Sequence, residues 1–142
     1  IKSRKNDIED LHYCLYLSIS ELLSNIEVHS GSKIGTLVVQ SYDSRVYIAI
    51  GDGGIGIPNK LRNQKPEWSD AELIEYALQP QVSSRPGRGG GMGLTILSDA
   101  VKKSGTRMVI RSGCGHVFVA KDKKARRNDC APLPGTLVEV AW

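Results

Sequence analysis

The chain has 142 residues, of which 40% are hydrophobic, and a formal net charge of +4. That length holds one complete domain rather than two, and that apolar share suits a packed core and excludes a disordered chain. No apolar run approaches the roughly 20 residues that span a bilayer, and no signal-peptide pattern is present, so no membrane segment is expected.

In chain order, Ile8, Leu11, Leu15, Ile19, Leu22, Leu23 and Ile26 recur at helical spacing and predict a helix over about 6–29. Ser30-Gly31-Ser32 stops it, with Gly31 suited to a left-handed cap. Two β-rich runs follow, 36–41 and 45–50, with a hairpin turn at Tyr42-Asp43-Ser44-Arg45. The second run empties into Gly51-Asp52-Gly53-Gly54-Ile55-Gly56. Ser69 with Glu72 is a capping-box signature that opens a short helix to about Leu78. Residues 87–93 carry five glycines, and a helix follows with Leu94, Leu97 and Val101 on one face and Gly105 as its stop.

Three strands close the chain at 108–110, 117–120 and 137–142. Lys121, Lys123, Lys124, Arg126 and Arg127 form a basic run, read as a solvated loop. No aromatic residue interleaves that run, so a nucleic-acid partner is not expected. Cys14, Cys114 and Cys130 form no Cys-x-x-Cys pair, and reduced thiols in the cytosol are the simpler reading. The expected architecture is α+β: a two-layer α/β sandwich with helices on one face of a mixed, mostly antiparallel sheet. The chain starts at Ile1 without a Met, so residues 1–142 are expected to be a single cytoplasmic domain excised from a longer parent, which can itself carry a membrane anchor.

Three segments carry chemistry. Glu21, Asn25 and His29 lie four apart on the first helix and project from one face beside its apolar stripe. A carboxylate, an amide and an imidazole there can position water, bind a hard cation through oxygen and touch a phosphate; an ordinary polar flank has the same pattern. After the second strand, glycines let backbone approach a flat ligand, and Asp52 can accept a hydrogen bond from an exocyclic amine. A plain glycine-rich turn remains the alternative for that loop. Gly51, Gly53 and Gly56 also satisfy a dinucleotide-binding spacing, but Pro58 and Pro66 deny the long crossover helix which that fingerprint requires. The second loop, Gly87-Arg88-Gly89-Gly90-Gly91-Met92-Gly93-Leu94, runs into a helix whose free N–H groups and dipole form an anion site, reinforced by Arg88.

In this order the segments resemble the N, G1 and G2 boxes of the GHKL superfamily of gyrase-type topoisomerases, heat-shock chaperones, histidine kinases and MutL. Glu21-Leu22-x-x-Asn25-x-x-x-His29 resembles the N box, Asp52-x-Gly54-x-Gly56-Ile57 the G1 box, and Gly89-x-Gly91-x-Gly93-Leu94 the G2 box; Gly135-Thr136 matches a further Gly-Thr of the family. The resemblance covers nearly the whole chain and implies ATP and Mg²⁺ as ligands. It implies that Asn25 ligates Mg²⁺ and that His29 sits near phosphate. Asp52 would take the adenine amino group with Thr136 supporting the same edge, directly or through water; Gly54, Gly56 and Ile57 would shape the adenine pocket, and Arg88, Gly89, Gly91, Met92, Gly93 and Leu94 would hold the phosphates. A mobile lid would span about 58–88, and Glu21 matches the water-activating carboxylate of the hydrolysing and serine-kinase branches.

The only Phe is Phe118, so the Phe-rich lid box of the sensor histidine kinases is missing. Compact size, Glu21 and Ser83-Ser84 resemble instead the stand-alone regulators of the anti-sigma serine-kinase type. The resemblance therefore implies the catalytic or switching domain of a histidine-kinase-like regulator in signal transduction, an enzyme that transfers the phosphoryl group or hydrolyses ATP. Its partner would be a protein or phosphoacceptor of unspecified identity. The contrasting expectation is a non-catalytic module of the same fold whose lid responds to nucleotide and selects a partner.

Overall fold

The computed structural model describes residues 12, 13, 16, 17, 19–80, 82 and 93–142, apart from the side chains of Val28, His29 and Cys130. Helix α1 is regular over 19–25 and closes in a wider π turn, Ile26–Ser30. It buries Leu22 and Ile26 and leaves Leu23 exposed. Gly31 ends it in the left-handed region, where a residue without Cβ carries no steric penalty. Strands β1, Gly35–Tyr42, and β2, Arg45–Asp52, form the expected hairpin, with Tyr42 opposite Arg45 across a two-residue loop.

Helix α2, Gly56–Leu61, follows at once, although the sequence pattern there is weak. Pro58 suits it because it falls in the first turn, where a missing N–H breaks no bond. Helix α3, Asp70–Ala77, opens with the expected capping box: Ser69 Oγ accepts from the Glu72 N–H at 3.4 Å, and Glu72 accepts from the Ser69 N–H at 2.8 Å. Helix α4, Gly93–Ser104, packs Leu97 and Val101 inward and stops at Gly105.

Strands β3, Arg107–Ala120, and β4, Lys123–Ala141, complete a four-stranded sheet in the order β1-β2-β4-β3. Every pairing among the described residues is antiparallel, so the mixed character expected of the sheet is not seen there. Register aligns Ile48, Val140 and Met108 in one row across β2, β4 and β3, and Ile50, Val138 and Ile110 in the next. These six side chains are buried, and Leu22, Ile26, Ile74, Leu97 and Val101 from three helices close over them. The helices thus share one face of the sheet, as the α+β sandwich requires. Edge strand β1 lies beyond that cover and is exposed along its whole length.

The separate strands expected at 108–110 and 117–120 are one strand. Irregularities between Ser112 and Gly113, and between Gly113 and Gly115, break its register. A bulge displaces the two-residue alternation, so even-numbered Met108, Ile110 and Ser112 are buried before it and odd-numbered Val117 and Val119 after it. Asp70 braces the bulge by accepting from the Cys114 N–H at 2.7 Å, and it also pairs with Arg62.

The basic run is not a loop, a correction to the sequence reading: from Lys123 onward it is strand β4. Lys124 and Arg126 stand opposite Val119 and Val117, and so on the helix side. There Arg126 meets Glu75 at 2.6 Å and Glu72 at 3.4 Å, and Lys124 pairs with Glu75. The hydrogen bond from Lys124 holds the Glu75 carboxyl below its ordinary range, with help from Arg126. Pairing with β3 sets the run in place, and the acidic residues of α3, out of reach of any local pattern, meet it there.

Helices α2 and α3 also change the picture of the expected lid, 58–88. Leu61, Leu73 and Ala77 form a second buried cluster, so α2 and α3 are packed structure within its span. Residues 81 and 83–88 lie outside the described residues.

Candidate functional site

Strand register continues past the apolar rows to a polar one. Asp52 pairs with Thr136, and Thr136 pairs with Ser112, so three polar side chains stand abreast where β2, β4 and β3 leave the core. Asp52 Oδ1 accepts from the Gly54 N–H at 2.8 Å, which folds the chain into a tight turn. Oδ2 is the acceptor left for a ligand. Ser112 is fully buried; its hydroxyl donates to the Gly135 carbonyl at 2.6 Å and accepts from the Ile57 N–H at 3.0 Å.

The glycines of the first loop serve the packing around this row. The Ile55 N–H donates to the Ser30 carbonyl at 2.8 Å, which docks the loop on the end of α1. A Cβ on Gly54 would stand 2.6 Å from the Ser30 carbonyl carbon, and one on Gly135 would stand 2.6 Å from the Asp52 carbonyl carbon. Only backbone without side chains allows α1, β2 and β4 to meet this closely. Gly54 and Gly56 are consequently absent from the cleft wall, and they shape it from behind.

The cleft itself lies between α1, α2, α4 and the sheet, and encloses about 780 Å³ with its open mouth included. Leu22, Ile26, Ile50, Ile57, Leu61, Leu94 and Val138 supply apolar wall. The polar groups among them are Asp52, Thr136, Asn25, Lys60 and the backbone at Gly93. Glu21, one turn before Asn25, packs on Gly93: a Cβ there would stand 3.0 Å from Glu21 Cβ. The carboxylate therefore flanks the first residue of α4, where the helix dipole is positive. An apolar cleft with acceptors in one polar row, the start of α4, an amide from α1 and an ammonium from α2 along its lining suits a base joined to an anion.

The family model for histidine kinase-, DNA gyrase B- and HSP90-like ATPases matches residues 13–129. The chain belongs to that family. It is an ATP-binding domain of the GHKL type, and the match runs from α1 through both glycine loops into β4. Gly135 and Thr136 lie beyond the matched residues. No curated protein matches the chain closely enough to add a narrower role. No helix among the described residues is long and apolar enough to cross a membrane.

Within this GHKL domain, Asn25, Asp52, Ile57, Gly93, Leu94 and Thr136 all line one cleft, and Glu21 adjoins it. His29 lies in the π turn, and its side chain is outside the described atoms. Arg88, Gly89, Gly91 and Met92 lie outside the described residues. Two residues escaped the sequence reading. Lys60 reaches the cleft from a helix that no strong pattern announced, and Ser112 was hidden by the bulge. The alternation Met108, Ile110, Ser112 was the available signal, because it puts a lone hydroxyl at the end of a buried apolar row.

Proposed function

We propose that this domain binds Mg²⁺–ATP in the cleft and is the catalytic or switching part of a histidine-kinase-like regulator, with phosphoryl transfer or ATP hydrolysis as its reaction. The observation that carries this reading is the convergence of Asp52, Thr136, Asn25 and the start of α4 on one apolar slot. Asp52 Oδ2 accepts from the adenine amine, Thr136 supports the same edge, and Ile57 lies against the base. Gly93 and Leu94 receive the phosphates at the start of α4, with Arg88, Gly89, Gly91 and Met92 ahead of them in the chain and His29 assigned near phosphate on its place in the N box.

The residues fit the metal as well as the nucleotide. Mg²⁺ takes few protein ligands and completes its shell with phosphate oxygens and water, so the single amide oxygen of Asn25 is a suitable donor. Among the described residues no group of three or more His, Cys, Asp or Glu could hold a metal unaided, which agrees with a cation brought in on its nucleotide. Bound there, the metal would neutralise charge on the phosphates. Glu21, beside Gly93, is the candidate base for the attacking water or hydroxyl.

Calorimetry with ATP, with and without Mg²⁺, tests the site on wild type, Asn25→Ala and Asp52→Asn. Unchanged affinity in both variants would overturn the pocket assignment. Phosphate release or partner labelling tests the chemistry: Glu21→Gln is expected to abolish it and to leave binding intact. Binding without any turnover or transfer in wild type would support the non-catalytic switch instead.

A further inference from the structure

We propose that Ser112 is a positioning residue that fixes the Thr136 hydroxyl as a hydrogen-bond acceptor, and thereby makes the cleft select a 6-amino purine over a 6-oxo purine. The inference rests on the reading of the cleft as a nucleotide site and adds the origin of its base selectivity.

A serine hydroxyl has one proton and two lone pairs. The proton of Ser112 is committed to the Gly135 carbonyl, which can only accept, across 2.6 Å. One lone pair takes the Ile57 N–H at 3.0 Å. The Thr136 hydroxyl oxygen lies 3.2 Å from the same Ser112 oxygen. With the serine proton already spent, only Thr136 can donate in that contact. Ser112 is then saturated, with one bond given and two received, and it has no access to water. Every direction around its oxygen is assigned.

The consequence falls on the cleft. The Thr136 proton points at Ser112, so Thr136 presents lone pairs to whatever occupies the space beside it. Its neighbour in the row, Asp52, presents carboxylate Oδ2, since Oδ1 holds the Gly54 N–H. The row accepts and does not donate. An exocyclic amine carries two protons to such a row, whereas a carbonyl at the same ring position brings lone pairs against lone pairs. A threonine hydroxyl free to rotate would serve either base, because it can give or take a proton. Ser112 removes that freedom without touching the ligand.

The probes are ATP and inosine triphosphate, which differ at the 6-position of the ring and in the adjacent ring proton. Titration calorimetry gives the affinity ratio for wild type, Ser112→Ala, Thr136→Val and the double variant. Wild type is expected to prefer ATP. In Ser112→Ala the Thr136 proton is released, and the preference is expected to shrink about tenfold, the worth of one net hydrogen bond. Thr136→Val is expected to weaken ATP and leave inosine triphosphate unchanged or tighter. Adding Ser112→Ala to Thr136→Val is expected to leave the ratio where Thr136→Val put it.

A Ser112→Ala protein that keeps the full preference would overturn the inference while the ATP site stands. Equal losses for both nucleotides in Thr136→Val would do the same, since they are the mark of a rotating hydroxyl. That second variant also decides the matter if Ser112→Ala, with two buried backbone partners left unsatisfied, does not fold. A wild type that binds neither nucleotide removes the nucleotide reading itself.

Discussion

Replacing Gly54 with Ala tests whether the first glycine loop serves packing before it serves ligand. The new Cβ would overlap the Ser30 carbonyl oxygen and stand 2.6 Å from its carbon, well inside the 3.4 Å at which ordinary contact begins, so the backbones must part by more than the carbon contact alone requires. The donor in the 2.8 Å bond from the Ile55 N–H to the Ser30 carbonyl sits on the next residue, so that bond is stretched or lost. Overpacking of this kind costs about 1–3 kcal/mol and a net hydrogen bond about 1 kcal/mol. The expected destabilisation is therefore about 2–4 kcal/mol, a factor of roughly 30 to 1,000 in the folding constant. Urea unfolding followed by circular dichroism measures it. Calorimetry on the folded variant should show weakened ATP binding too, because Asn25 sits on the helix that is pushed away from Asp52. A loss below about 0.5 kcal/mol, the range of an inconsequential surface change, together with wild-type affinity would refute the reasoning.

Three further outcomes are expected. Asp52→Asn keeps a carbonyl for the Gly54 N–H but turns a donor toward the cleft, so ATP affinity should fall at least about tenfold with little change in thermal midpoint; equal affinity by calorimetry would contradict the acceptor role. Glu75 has a folded pKa below its ordinary value because of Lys124 and Arg126, so its contribution is present above about pH 4.3 and is lost as pH falls through the folded value. Glu75→Gln should cost up to about 1 kcal/mol at neutral pH, less in high salt, and flatten the acid arm of the stability curve; parallel acid arms would count against it. Burial, with Arg127 and Arg111 adding to it, lowers the pKa of His116, so the unfolded state binds the extra proton first and stability falls as pH drops below about 6.5. His116→Leu should remove that slope, and its persistence would show that another group titrates.

What the sequence alone determined was local. Helical spacing, the Gly31 and Gly105 stops, the Ser69–Glu72 cap and the two-residue hairpin all depend on residues within a few positions of each other. The order of the Asn helix and two glycine loops was equally legible, and so was the family, because those boxes are short contiguous patterns. Asp52 could be singled out because it ends a strand whose alternation is strong. What only the tertiary structure decided depends on residues far apart in the chain. The bulge in β3 reverses which residues face the core, and no window shorter than the whole strand reveals that reversal. The basic run is a strand because residues 123–128 pair with 115–120 of β3, and Arg126 then meets Glu75 and Glu72, 51 and 54 residues away in the chain. Ser112 gained its place from strand register: it faces Thr136 across β3 and β4, and Thr136 faces Asp52 across β4 and β2. Local spacing chooses which side chains a segment offers. Pairing between distant strands chooses which of them meet, and the direction of a single hydroxyl proton depends on that second choice.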